Sequence, residues 1–128
     1  MTNLDFVGDI RTSRFKFFNV KTNRLEFKSR PILIIGCEKE TGSCDFTVLP
    51  ISSISNPANI IPEFDIFISR QSFPNLGLTR DSFCRTSKVS TVNSNDVGVQ
   101  RISSLSDSYP ELYKDVQSKF YLFSSSLF

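Results

Sequence analysis

The chain has 128 residues, of which 39% are hydrophobic and 22% are charged, so it is long enough for one domain with its own core and is not a disordered segment. Its formal net charge of +2 excludes a protein that is basic over its whole surface. Three cysteines without a C-x-x-C pair, and no histidine, argue against a disulfide framework and a transition-metal site. We therefore expect a single domain over residues 1–128, with free thiols and no metal.

The first quarter of the chain combines strand patterns with a concentration of positive charge. Residues 6–10 begin a strand, and alternating cations and aromatic rings over residues 14–17 are typical of a strand with one buried face. Residues 19–29 are polar and basic without a helical apolar stripe, so we predict a long loop there. Over residues 11–30 seven positive residues stand against one acid, a net charge of +6. Such a stretch is either a phosphate-contacting loop or an ordinary solvated one.

Further strands are predicted from the middle of the chain. Pro31 opens the first of them, Pro50 ends the second, and the Ser/Asn/Pro-rich residues 51–62 read as irregular. The segments predicted to be extended are residues 32–35, 46–49, 64–68 and 82–92.

A helix is predicted only at the end of the chain. Ser108 with Glu111 resembles a capping box, and Pro110 suits a first helical turn. The apolar residues that fall on one side of this helix are Leu112, Val116, Phe120 and Phe123. We therefore predict a mainly β (α+β) fold, with five to seven strands in a strongly bent sheet or barrel and the C-terminal α-helix packed on it.

No segment predicts export or membrane insertion. Residues 1–11 lack the apolar stretch of a signal peptide. The longest strongly apolar run, residues 32–35, is far too short to span a bilayer. We expect a cytoplasmic protein without a membrane partner.

Four short motifs follow one another along residues 8–92. They are Gly-Asp-Ile at residues 8–10, Arg-Pro-Ile-Leu-Ile-Ile at 30–35, Pro-Ile-Ser-Ser at 50–53, and Gly-Leu-Thr-Arg-Asp-Ser at 77–82 followed by Lys-Val-Ser-Thr-Val at 88–92. In this order they resemble the PemK/MazF family of bacterial toxins. The resemblance implies a small SH3-like or PemK-like β-barrel with a C-terminal helix, assembled as a homodimer. It also implies the toxin of a type II toxin–antitoxin system, an endoribonuclease that cuts single-stranded RNA and is neutralised by a cognate antitoxin protein.

The same resemblance assigns catalytic residues. Arg30 and Ser52 match the Arg and the Ser/Thr that the family holds near the scissile phosphate, and Arg85 matches a catalytic Arg of the PemK branch. The implied reaction is attack by the RNA 2′-OH on the adjacent phosphorus, which needs neither metal nor cofactor because the nucleophile belongs to the substrate. A guanidinium suits charge stabilisation, since it forks onto phosphate oxygens and does not release its proton.

Other residues are candidates for RNA contact. They are Lys21, Arg24 and Lys28 in the basic stretch, with Ser53, Ser87 and Lys88 beside the motif positions. Aromatic rings stack on the bases of single-stranded RNA, and Phe17, Phe18 and Phe27 are available for this or for the core.

Two departures from the family pattern keep other functions open. Ser87 stands where the family often has an acid, and the histidine of the PemK branch is absent. These departures leave open an RNA-binding member that no longer cuts. A gyrase-poison-like protein, which binds a protein target with the same barrel, is a further alternative that the Arg-Pro motif at residues 30–31 and the Pro-Ile-Ser motif at 50–52 disfavour.

Overall fold

The computed structural model describes residues 2–128 and consists mainly of antiparallel strands. The strands are β1 (Asp9–Asn19), β2 (Arg24–Cys37), β3 (Asp45–Ser52), β4 (Asp65–Ile68), β5 (Ser82–Arg85), β6 (Ser90–Asn93) and β7 (Ser103–Ser104). The α-helices are α1 (Leu105–Ser108) and α2 (Pro110–Ser125). This confirms the expected mainly β fold with a short C-terminal helix.

All strands of residues 2–128 join in one strongly curled sheet. Its order is β4-β5-β3-β2-β1-β7, and β6 pairs with β3 outside this path. Strand β3 pairs with three strands, since β2 lies along one of its edges while β6 and β5 share the other. The end of β3 that pairs with β5 is therefore brought close to the base of the β1–β2 hairpin.

The long loop predicted over residues 19–29 is wrong. Strands β1 and β2 pair without interruption from Ile10↔Leu33 to Asn19↔Arg24, and the turn occupies only residues 20–23. The missed signal is cross-strand pairing, which places opposite side chains about 5 Å apart on the same face. No single-strand pattern reveals it, since residues 24–29 read as polar on their own.

Pro31 and Pro50 lie inside strands, which corrects the predicted strand limits. Pro31 belongs to β2 rather than opening it, and β3 continues past Pro50 to Ser52. Ile32↔Pro50 is the last pair between these two strands. Proline is tolerated there because a residue without an N–H is acceptable where pairing ends.

The core covers both faces of the sheet. One cluster lies under α2 and includes Leu33, Leu49 and Val116, and the second surrounds Phe46 on the opposite face. Helix α2 begins at Pro110, as predicted, but the Ser108–Glu111 capping box is wrong. Tyr109 is the N-cap of α2 and makes no side-chain capping hydrogen bond. Ser108 is instead the last residue of α1, whose N-cap is Ser104.

Two further features concern the whole of residues 2–128. All three cysteines are free thiols. Within the same residues, no helix has both the length and the apolar character needed to cross a membrane.

Candidate functional site

A group of adjoining pockets lies between the base of the β1–β2 hairpin and the end of β3. Three of them, with volumes of about 290, 450 and 500 Å³, have both Arg30 and Ser52 in their walls. We call this region the cationic cleft. The residues that line at least two of the three pockets are Lys28, Arg30, Ser52, Ser53, Arg85 and Lys88.

Strand register brings Arg30 and Ser52 together. The last pair of the antiparallel strands β2 and β3 is Ile32↔Pro50. Arg30 lies two residues before Ile32 and Ser52 two residues after Pro50, so the same register places Arg30 beside Ser52. Arg30 is exposed and Ser52 is half-buried. Within residues 2–128 neither side chain makes a hydrogen bond or an ion pair, so both are available to a ligand.

Arg85 is held by a buried carboxylate. It ends β5 opposite Asp65 of β4, and its Nε donates to Asp65 Oδ1 at 3.3 Å. Its Nη2 donates to Asp65 Oδ2 at 3.4 Å and to the Asn59 carbonyl at 2.8 Å. The Arg85 side chain is 17% exposed and that of Asp65 is 0% exposed. The guanidinium is therefore fixed from below while Arg85 still lines two of the pockets.

An aromatic wall completes the cleft on the hairpin side. Phe15 and Phe17 line the 450 Å³ pocket together with Lys28. In the hairpin register Phe15 is opposite Lys28, and Phe17 follows two residues later on the same face. Flat apolar rings beside cations suit a ligand that has both aromatic and anionic parts.

The charge of the cleft has one sign. Among residues 2–128, no Asp or Glu lines any of its three pockets, although Asp65 lies beneath Arg85. Convergent cations without facing acids attract and hold anions such as phosphate groups. The cleft is accordingly suited to a polyanion.

Three predicted residues are not part of the cleft walls. Lys21 and Arg24 belong to the turn end of the hairpin, where Arg24 pairs with Asn19. Ser87 lies between Arg85 and Lys88, but its hydroxyl is buried without a hydrogen-bond partner among the described residues. Their contact with RNA remains a prediction.

Two residues of this region were missed from the sequence. Arg80 lines the 290 Å³ pocket, and its place within the motif at residues 77–82 was the available signal. Asp65 carried no signal, because it alternates with apolar residues as a solvent-facing side chain does. Pairing with β5 puts it in the interior instead.

Cys84 lies next to the cleft but is not a nucleophile. Its side chain belongs to the core, and burial, aided by the charge of Asp65, raises the pKa of the thiol to about 12. The thiolate is thus absent at neutral pH, and the chain contains no histidine to activate a hydroxyl. Among residues 2–128 no group of three or more His, Cys, Asp or Glu side chains is arranged to hold a metal ion.

Comparisons with protein families and with curated proteins identify no relative. No protein-family model matches the chain, and no curated protein matches it in sequence. The likeness to the PemK/MazF family therefore rests on the four motifs alone.

Proposed function

We propose that the chain is a metal-independent, sequence-selective endoribonuclease that cuts single-stranded RNA. The observation that carries the proposal is the convergence of Arg30, Ser52 and Arg85 in one cleft without a facing acid. These residues are far apart in the chain, and the family resemblance assigns each of them to catalysis. Phosphate recognition accounts for the cations, and base stacking accounts for the aromatic wall.

The proposed reaction is transesterification within the RNA. The 2′-oxygen forms a bond to the adjacent phosphorus, and the bond from phosphorus to the 5′-oxygen breaks. The products are a 2′,3′-cyclic phosphate and a 5′-OH. Solvent accepts the proton of the 2′-OH and supplies one to the leaving 5′-oxygen, because no histidine or carboxylate lines the cleft.

Each catalytic side chain has a separate task in this reaction. Arg30, which has no hydrogen bond or ion pair within residues 2–128, binds the non-bridging phosphate oxygens and stabilises the charge that develops on them. Arg85 adds a second cation whose orientation is set by Asp65. Ser52 holds the 2′-OH in line by a hydrogen bond and does not become covalently attached.

We further propose the biological setting that the motif resemblance implies. The curled sheet with its C-terminal helix is compatible with an SH3-like or PemK-like barrel. On this basis the chain is the toxin of a type II toxin–antitoxin system. It acts as a cytoplasmic homodimer and is neutralised by a cognate antitoxin.

An RNA cleavage assay in EDTA tests the proposal. The wild type should give discrete cuts with 5′-OH ends on a long single-stranded RNA. Arg30→Ala should slow cleavage by about 100- to 1,000-fold, the usual effect of removing a transition-state donor. Ser52→Ala should also slow it, with the same cut sites.

Arg14→Ala is the matched control. Arg14 is an exposed arginine on the opposite face of the same hairpin, where its guanidinium lies 4.2 Å from the centre of the Phe27 ring. Its loss should change the rate by no more than about threefold. Absence of cutting by the folded wild type, or equal loss in the Arg14 and Arg30 variants, would refute a nuclease centred on Arg30.

A second candidate is an RNA-binding protein that does not cut. It is favoured by the absence of histidine and of any cleft carboxylate, which removes the usual general acid and base. Tight, Arg30-dependent binding without cleavage would establish it. A gyrase-poison-like protein would instead keep its toxicity in the Arg30→Ala variant.

A further inference from the structure

The Arg85 side chain and the backbone of Ile61, which both line the cationic cleft, donate hydrogen bonds to the same buried carboxylate. Asp65 accepts from Arg85 through both of its oxygens, and its Oδ2 also accepts from the Ile61 N–H at 2.8 Å. Arg85 in turn donates to the Asn59 carbonyl at 2.8 Å. Asn59 and Ile61 belong to the wall of the 500 Å³ pocket, so the carboxylate joins that wall to the guanidinium.

The side-chain hydrogen bonds of Asp65 all go to residues of the cleft. A fully buried carboxylate is unfavourable unless it is paired and hydrogen-bonded. The groups that donate to the Asp65 carboxylate, Arg85 and the Ile61 N–H, both belong to residues that line the cleft. Asp65 accepts from no residue of α2 or of the β1–β2 hairpin among residues 2–128. Its bonds therefore define the position of Arg85 relative to the segment that follows β3.

We propose that Asp65 is a positioning residue for the cleft, which holds Arg85 and the wall at residues 59–61 in one fixed geometry for a bound phosphate. The inference rests on the proposed function for its catalytic consequence. Asp65 itself does not touch the substrate, because its side chain is completely buried. Its effect reaches the reaction through the Arg85 guanidinium.

The chain contains a matched control for this proposal. Asp9 and Arg11 form a second buried Asp–Arg pair at 3.0 Å, with side chains that are 4% and 7% exposed. This pair lies outside the three pockets of the cationic cleft. Asp9→Asn therefore removes a comparable buried charge without touching the cleft.

The first experiment measures geometry rather than activity. Solvent exchange of the Arg85 Nε proton is followed by NMR in the wild type and in the Asp65→Asn and Asp9→Asn variants. The wild-type proton should exchange about tenfold more slowly than that of exposed Arg30, because it is hydrogen-bonded and shielded. Asp65→Asn should remove this protection and Asp9→Asn should not. Equal exchange at Arg85 and Arg30 in the wild type would overturn the proposal.

The second experiment separates kcat from KM in single-stranded RNA cleavage. Asp65→Asn should lower kcat by about 10- to 100-fold, the cost of a misplaced catalytic group, with a much smaller change in KM. Combining Asp65→Asn with Arg85→Ala should slow cleavage no more than Arg85→Ala alone. Asp9→Asn should leave kcat unchanged. Additive losses from the two substitutions, or an unchanged kcat in Asp65→Asn, would overturn the inference.

Arg85→Lys covers the case in which Asp65→Asn does not fold. Lysine keeps the charge but cannot bridge Asp65 and Asn59 as the guanidinium fork does, so kcat should fall as in Asp65→Asn. Full activity in Arg85→Lys would contradict the need for a fixed fork. If the wild type does not cut RNA, the proposed function fails, while the exchange experiment still decides whether Asp65 positions Arg85.

Discussion

Phe17 and Phe18 are adjacent in β1 and provide a sharp test of the aromatic wall. Successive residues of a strand point to opposite faces, so the Phe17 ring lines the cleft and the Phe18 ring lies on the other side of the hairpin. We expect Phe17→Ala to weaken binding of single-stranded RNA, and Phe18→Ala to leave it nearly unchanged.

The expected magnitude follows from stacking and exposure. Removing an aromatic ring that stacks on one base costs about 1–3 kcal/mol, which corresponds to roughly 5- to 150-fold in Kd. Phe17 is 39% exposed and Phe18 is 56% exposed, so each contributes only part of the roughly 1.5–3 kcal/mol of a fully buried side chain. Because that loss is small beside a usual stability of about 5–15 kcal/mol, both variants should fold.

The assay is fluorescence anisotropy with a short labelled RNA in which 2′-deoxy nucleotides prevent cleavage. Phe17→Leu keeps apolar bulk without a planar face, so it should bind almost as weakly as Phe17→Ala. Wild-type affinity in Phe17→Ala, or a larger loss in Phe18→Ala than in Phe17→Ala, would refute the assignment of the stacking face.

Two further expectations concern charge and burial. Lys28→Ala should lower the slope of log Kd against log salt by about 0.7, the contribution of one phosphate contact on a single strand. An unchanged slope would contradict a phosphate contact at Lys28. Burial raises the pKa of the Cys84 thiol from 9.0 to about 12 in the folded protein. The stabilisation of the folded state by the neutral thiol is therefore complete below pH 9. It is lost as the pH rises toward 12, because the thiol of the unfolded chain ionises first. Between pH 8 and about pH 10.5 the free energy of unfolding in urea should fall by up to about 2 kcal/mol more in the wild type than in Cys84→Val. Parallel pH dependence in the two proteins would show that the thiol is not buried.

Local patterns identified most of the regular structure. The apolar run at residues 32–35 lies in β2, the alternating residues 64–68 contain β4, and helix α2 carries the buried Leu112 and Val116. These predictions succeeded because each depends on periodicity within one segment. The prediction of a loop over residues 19–29 was wrong because the strands there are defined by pairing with each other, and periodicity within one segment does not show pairing.

For the candidate site too, the sequence indicated which residues to consider, and strand pairing decided where their side chains lie. The family resemblance pointed to Arg30, Ser52 and Arg85, and the register of β2, β3 and β5 brings them to one cleft. Ser87 was also a candidate from the sequence, but its hydroxyl is buried. Side-chain direction depends on strand pairing and curl, which a linear pattern does not contain.

By itself, the sequence determined mainly β structure, a terminal helix, a local excess of positive charge and the residue types of an anion site. Only the tertiary structure decided which of those cations share a cleft, which phenylalanines face it, and that buried Asp65 holds Arg85 in place. The physical reason is that composition and periodicity act within a segment. Convergence and burial arise instead from contacts between segments that pairing and sheet curvature bring together.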